Sequence, residues 1–250
     1  MSVAALILAG SRGGADPLAA YAGVADKALI EIGGRTMLAR VIGALREAGA
    51  ARIAVSASTP AVAAAAHALG VETIESAAGP SRSARDGLER MGAPLLLTTA
   101  DHALLHPAWV SAFLADLPGS ADVAALLARR ETIEAAAPDT RRTYLRFADG
   151  DWSGCNLFYF ATPGAARAID LWQAAEADRK RPWRIVRRLG PGMLLSYLAR
   201  RLTLARAVAH LGAQAGVAAA IVESRDGRAA IDVDKPADLD LVRHMIGDRG

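Results

Sequence analysis

The chain has 250 residues, 52% of them hydrophobic, and a formal net charge of +3. That length and apolar fraction suit one α/β domain, with a mostly aliphatic core because only 5% of residues are aromatic. The slight positive charge suits an anionic small ligand, and the lack of a dense basic run interleaved with aromatics argues against nucleic acid.

The single cysteine, Cys155, cannot form an intrachain disulfide, which favours a reducing cytoplasm. The first apolar run is too short for a signal peptide or a membrane span. The five histidines are scattered, so zinc spacing is absent.

In chain order, Val3 to Leu8 is an apolar run of strand length. It stops at Ala9-Gly10 and enters a loop with Gly10, Gly13 and Gly14, Arg12 early and Lys27 late. Glycines let backbone N–H groups approach phosphates, and the cations offset their charge. The lysine-serine/threonine end of a P-loop is missing, and the glycines fall as G-x-x-G-G rather than in the dinucleotide spacing. Residues 28 to 32 then read as a short extended segment, and Thr36 to Ala48 as a helix. Arg52 to Ser56 is a second buried strand, Thr59-Pro60 opens a helix to about Leu69, and Val71 to Ile74 is a third strand. This alternation predicts an α/β fold, a mainly parallel twisted sheet with helices on both faces.

Gly79-Pro80-Ser81-Arg82-Ser83 precedes the helical stretch ARDGLERM, with Ser81 or Ser83 as the expected N-cap. Pro94 to Ala100 reads as the central strand, with Asp101 at its carboxyl end. Ligands of open α/β sheets sit at that edge, and a carboxylate there can coordinate a divalent cation or cap the next turn. His102 and His106 read as turn residues, because Mg2+ prefers oxygen. A helix over Pro107 to Leu117 and a strand over Asp122 to Ala128 follow.

Arg129, Arg130, Arg141, Arg142 and Arg146 then gather near Tyr144 and Phe147, as a cationic pocket or a solvated face. Gly154 to Phe160 is a turn entering an apolar strand, with Asn156 able to donate and accept hydrogen bonds. Cys155 reads as a small buried residue. Pro163 to Ala177 is helical, and a basic helical insert occupies about residues 178–212. Strands are expected at Val217 to Val222 and Arg228 to Val233, and a last helix at Ala237 to Ile246 after Asp232-Val233-Asp234-Lys235-Pro236.

The Leu8-Ala9-Gly10…Arg12…Lys27 loop, the TTAD strand end and the DVDKPADL tail together resemble the nucleotidyltransferases with a glycosyltransferase-A-like (GT-A-like) Rossmann fold. This MobA-like group includes molybdenum-cofactor guanylyltransferases, cytidylyltransferases and sugar-1-phosphate nucleotidyltransferases. The resemblance implies that Leu8, Ala9, Gly10, Arg12 and Lys27 hold the nucleotide, with Gly79 and Ser83 at the base and phosphates. It implies Mg2+ on Asp101 and Asp234, with Asp232 as neighbour, and an acceptor site at Gly154 and Asn156. Arg12, Lys27 and Asp101 are then the expected catalytic residues.

The expected reaction transfers NMP from an NTP, CTP or GTP first, to a phosphorylated small-molecule acceptor. The expected organisation is a single domain over residues 1–250 carrying the insert. The insert itself reads as a lid on the acceptor or as a peripheral contact with an anionic membrane. Two other classes share these features. A GT-A glycosyltransferase would usually show Asp-x-Asp where this chain has Asp101-His102-Ala103. A non-catalytic nucleotide-binding regulator would bind without turnover.

Overall fold

A computed structural model describes residues 3–10, 16–177 and 190–247 of the protein. Arg12 and the arginine-rich stretch 178–189 lie outside the described residues.

The sheet is built outward from β1 (Ala4–Ala9). Its run AALILA is apolar at every position, which is what a strand buried on both faces requires. Side chains alternate between the faces. Ala5, Ile7 and Ala9 join one core cluster, and Leu6 and Leu8 join the other. β4 (Arg52–Ala57) and β6 (Leu95–Thr99) flank β1 in parallel, and β5 (Glu72–Glu75) extends the sheet beyond β4. On the other side β9 (Gly150–Phe160) runs antiparallel between β6 and β7 (Val123–Arg129), and β10 (Ala219–Glu223) closes the edge parallel to β7. The order is β10-β7-β9-β6-β1-β4-β5, with β8 (Leu145–Phe147) paired to the start of β9. A separate hairpin joins β2 (Glu31–Ile32) and β3 (Arg35–Thr36).

Helices cover both faces. α2 (Met37–Glu47), α3 (Pro60–Ala68) and α5 (Pro107–Ala115) pack on the Ile7 face, through residues such as Val41, Val62 and Phe113. α4 (Pro80–Met91) and α7 (Ala166–Ala177) pack on the Leu6 face through Leu88 and Ile169. Shorter helices are α1 (Pro17–Tyr21) and α6 (Arg130–Ala136). The described part of the insert holds α8 (Pro191–Leu198) and α9 (Leu204–Ala215), and the chain ends in α10 (Pro236–Met245). Among the described residues no helix is long and apolar enough to cross a membrane.

Three expectations change. Helix α4 starts at Pro80 with Gly79 as N-cap, so Ser81 and Ser83 lie inside the helix. Proline suits the first helical position, and that moves the start ahead of both serines. The expected strand at Arg228 to Val233 is instead a 3-10 turn, Gly227–Ala230, followed by extended chain without a partner strand among the described residues. Asp226 caps that turn, accepting from the Arg228 N–H at 3.0 Å. Gly227 packs so tightly on α6 that a Cβ would stand 2.2 Å from the Thr132 carbonyl oxygen. Finally, β9 begins at Gly150 rather than after Gly154, because residues 150–152 already pair with β8.

Candidate active site

Three segments far apart in sequence meet at the carboxyl edge of β1 and β6. The first is the turn Lys27–Leu29, capped by Asp26, which accepts from the Ala28 N–H at 3.0 Å. Ile30 and Ile32, both buried, anchor the chain just beyond it. The second is the end of β6, where the Ala100 N–H donates to the Leu8 carbonyl at 2.9 Å and Asp101 follows. The third is the tail, where Ile231 and Val233 are buried and alternate with Asp232 and Asp234. Val233 donates its N–H to the Asp101 carbonyl at 3.0 Å, stitching tail to strand end. One small apolar cluster holds all three, including Ile30, Met37, Ala103, Ile231, Val233 and Leu239. Asp238 then accepts from the N–H groups of Asp234 and Lys235, both at 3.2 Å, which sets the start of α10 and the backbone of Asp234.

The result is a carboxylate–ammonium–carboxylate arrangement. Lys27 Nζ lies 2.6 Å from Asp101 Oδ2 and 3.0 Å from Asp234 Oδ1. Asp101 is largely buried, its side chain 13% exposed, whereas that of Asp234 is 63% exposed. Burial works against the Lys27 charge, but Asp101 first and then Asp234 outweigh it and hold the ammonium above its ordinary range. Burial pushes the Asp101 carboxyl up, and the Lys27 ammonium pulls it back. Asp101 Oδ1 is buried and faces the Thr99 side chain, which helps to hold the carboxyl down. Lys27 Nζ occupies the point on which the two carboxylates converge, and their oxygens are the hard donors a divalent cation takes.

Beside this centre is a second ionic group. Asp232 accepts from Arg142 through one oxygen and from Asn156 Nδ2 through the other, the latter at 2.7 Å. Both its oxygens are therefore engaged away from Lys27. Burial would raise the Asp232 carboxyl, but Arg142 and Asn156 hold it below its ordinary value. Asn156 sits where the β7–β9 register slips. Two steps along β7, from Ala125 to Leu127, face four along β9, from Phe158 to Gly154. Its φ of 48° is left-handed, a conformation asparagine tolerates better than most residues. Bulges of this kind re-aim side chains at sheet edges.

The expected nucleotide side is more loosely joined to the centre. Leu8 and Ala9 are the buried end of β1, and Gly10 is exposed beyond them. A Cβ on Gly10 would stand 3.0 Å from Ser76 Oγ, so Gly10 faces the end of β5. Ser83 Oγ accepts from the Ala77 N–H at 3.0 Å, which ties it to the segment between β5 and α4. Above Gly79 lies Glu176, whose Oε2 accepts from Ser81 Oγ at 2.6 Å.

The family model of the MobA-like NTP transferase domain matches residues 5–225. The chain belongs to this family. It is a nucleotidyltransferase by that membership. Among solved structures it is similar to a hypothetical transferase from Thermus thermophilus, at 29% identity and TM-score 0.82, covering 96% of this chain and 100% of that one. A CMP:2-keto-3-deoxy-manno-octonic acid synthetase complexed with CTP matches at 19% identity and TM-score 0.60, over 100% of both chains. A 2-C-methyl-D-erythritol 4-phosphate cytidylyltransferase, also from Thermus thermophilus, matches at 17% and 0.55, over 99% of this chain and 100% of that one. At these last two identities the likeness is one of fold. No curated protein matches the sequence.

Within this NTP transferase, sequence reasoning left Arg142 among five arginines. The structure separates them. Arg129 pairs with Glu223, and Arg130 pairs with Glu134 and Asp151. Arg142 alone among these three turns to the Asp232–Asn156 group. Glu176 had no local signal, since its partner Ser81 is 95 residues away. Cys155 is buried, and burial pushes its thiol well up, with Arg142 opposing, so it is a packing residue.

Proposed function

We propose that this nucleotidyltransferase moves NMP from CTP or GTP to a phosphorylated small-molecule acceptor, with Mg2+ as its cofactor and pyrophosphate as the second product. The observation that carries the reading is the meeting of Asp101 and Asp234 on Lys27 at the carboxyl edge of β1 and β6. An oxygen of the acceptor's phosphate attacks the α-phosphorus of the NTP, and the bond from that phosphorus to the pyrophosphate oxygen breaks. Such a displacement needs in-line positioning and charge neutralisation rather than a protein nucleophile. Asp101 and Asp234 would hold the magnesium ion, which when bound polarises the phosphates and offsets their charge. Lys27 and Arg12 supply the cations for the triphosphate. Leu8, Ala9 and Gly10 carry the nucleotide at the end of β1, with Gly79 and Ser83 toward its base. Gly154 and Asn156 face the acceptor.

Family membership favours this reading over a glycosyltransferase or a non-catalytic regulator. The test is a panel of the NTPs against alcohol and sugar phosphates, followed by pyrophosphate release with and without Mg2+. Metal-dependent release that needs both substrates supports the reading. Release of a nucleoside diphosphate from a nucleotide-sugar, or binding with no turnover of any NTP, would overturn it.

A further inference from the structure

Helix α8 is apolar on both faces and covered on one. Met193 is buried with Leu202 and Ala207 against Phe147, and the Tyr197 ring, one turn on, meets Phe147 edge-on at 6.0 Å. Pro191, Leu195 and Leu198 lie opposite Met193, at i, i+4 and i+7, and all three are exposed, the two leucines at 69%. No polar group accounts for that exposure, since the Ser196 hydroxyl donates back to the Gly192 carbonyl at 2.9 Å. Leu145 is also exposed, and it stands two residues before Phe147 on β8, so it points to the same side as Phe147. Among the described residues five large apolar side chains are exposed. Four of them, Leu145, Leu195, Tyr197 and Leu198, belong to this one unit, and the fifth is Tyr21 on α1. Single exposed apolar residues are ordinary, but a concentration of them marks an interaction surface.

Charge indicates what that surface meets. Helix α8 runs into Arg200 and Arg201, both exposed, and Arg146 beside Leu145 and Arg206 on α9 are exposed as well. None of the four has a carboxylate partner among the described residues. From residue 179 to residue 222 the sequence holds nine lysines and arginines and no aspartate or glutamate, whereas the whole chain is only +3. The cationic excess is therefore concentrated on the segment that carries the uncovered leucines. A nucleic acid or an acidic protein loop would pair with the arginines and leave the leucines in water. An anionic bilayer takes both, with headgroup phosphates for the arginines and acyl chains for the leucines. Tyr197, apolar in its ring and polar at its tip, suits the boundary between the two.

We propose that the exposed face of α8, with Leu195 and Leu198 at its centre and Leu145 beside it, docks the protein on an anionic lipid membrane. The helix lies along the headgroup layer with its leucines in the acyl boundary, and Arg200 and Arg201 pair with lipid phosphates. This surface does not depend on the nucleotidyl-transfer reading above.

The test is cosedimentation of the full chain with vesicles of phosphatidylcholine alone and of phosphatidylcholine mixed with phosphatidylglycerol. Binding should need the anionic lipid and weaken as salt is raised. Leu195→Gln/Leu198→Gln should lower affinity for the mixed vesicles about tenfold or more, because it removes the side chains that enter the acyl boundary. Arg200→Gln/Arg201→Gln should lower it about tenfold as well. All four positions are exposed, so both variants should melt like wild type. A polarity-sensitive dye on Leu198→Cys, with Cys155 buried and out of reach, should shift to the blue on mixed vesicles. Absence of binding to mixed vesicles, equal binding to neutral ones, or wild-type binding by the leucine variant overturns the proposal. Self-association of the wild type that the leucine variant abolishes, without vesicle binding, makes the face a contact between copies and also overturns it. So does a raised acceptor KM in the leucine variant with vesicle binding intact, which makes α8 a lid. If no NTP yields pyrophosphate with any acceptor, the reaction assignment fails, and cosedimentation still decides this surface.

Discussion

Replacing Lys27 with methionine keeps most of the side chain's reach and removes its charge. The contact with Asp234 contributes little, because Asp234 is 63% exposed and exposed pairs are worth at most about 1 kcal/mol. The contact with Asp101 matters more. The side chains are 20% and 13% exposed, and Nζ lies 2.6 Å from the carboxylate. Breaking a fully buried pair from one side costs about 3–5 kcal/mol, so a discount for the residual exposure leaves about 2 kcal/mol. For a chain of this size that lowers Tm by about 4–8 °C. The sign of the pH dependence follows from Asp101. Burial already raises its carboxyl and Lys27 opposes the rise, so loss of Lys27 raises it further. A carboxyl raised above its unfolded value contributes stability at low pH that is lost as pH climbs through the folded pKa. The variant should therefore lie closer to wild type at about pH 5 than at about pH 8. Denaturant melts at both pH values, in buffer free of nucleotide and divalent metal, measure this. Added Mg2+ should recover part of the deficit, because it would restore a cation between the two carboxylates. Identical midpoints at the higher pH, or one deficit at both, would refute the reasoning.

Asp101→Asn should keep the fold and lower turnover about 100-fold or more, read as pyrophosphate release beside a thermal melt; near-normal Mg2+-dependent activity would remove Asp101 from the site. Asp234→Asn should cost less in stability, given its exposure, and still raise the Mg2+ concentration needed for half-maximal rate. Cys155 should resist a thiol reagent at neutral pH until denaturant is added, since burial holds the thiol protonated and inaccessible; native-state labelling would contradict this. Gly227→Ala should destabilise by about 3 kcal/mol in denaturant melts, because its Cβ would collide with the Thr132 carbonyl at 2.2 Å.

Much of the frame is written locally. The runs at β1 and β6 are apolar at nearly every position because those strands are buried on both faces, and that pattern is visible without a structure. The polar ends of those runs place Gly10 and Asp101 at one edge, where parallel sheets bind ligands. Lys27 and the DVDKPADL tail were legible by resemblance in residue type and order. The strand expected over Arg228 to Val233 does not form: Gly227–Ala230 is a 3-10 turn, and the residues after it pair with no strand among the described residues, a single backbone bond from Val233 to Asp101 taking that place.

Tertiary structure alone divided the labour between like residues. Asp232 and Asp234 share a residue type and a face, so no periodicity distinguishes them. Folding gives Asp234 to Lys27, and gives Asp232 to Arg142 and Asn156. The same holds for the arginines, where Arg130 finds a carboxylate one helical turn away, while Arg129 and Arg142 reach different ones 94 and 90 residues away. Periodicity records which face a residue turns to the core, a property of its own segment. An ion pair between distant segments depends on how those segments are brought together, and here a small apolar cluster around Ile30, Ile231 and Val233 does that.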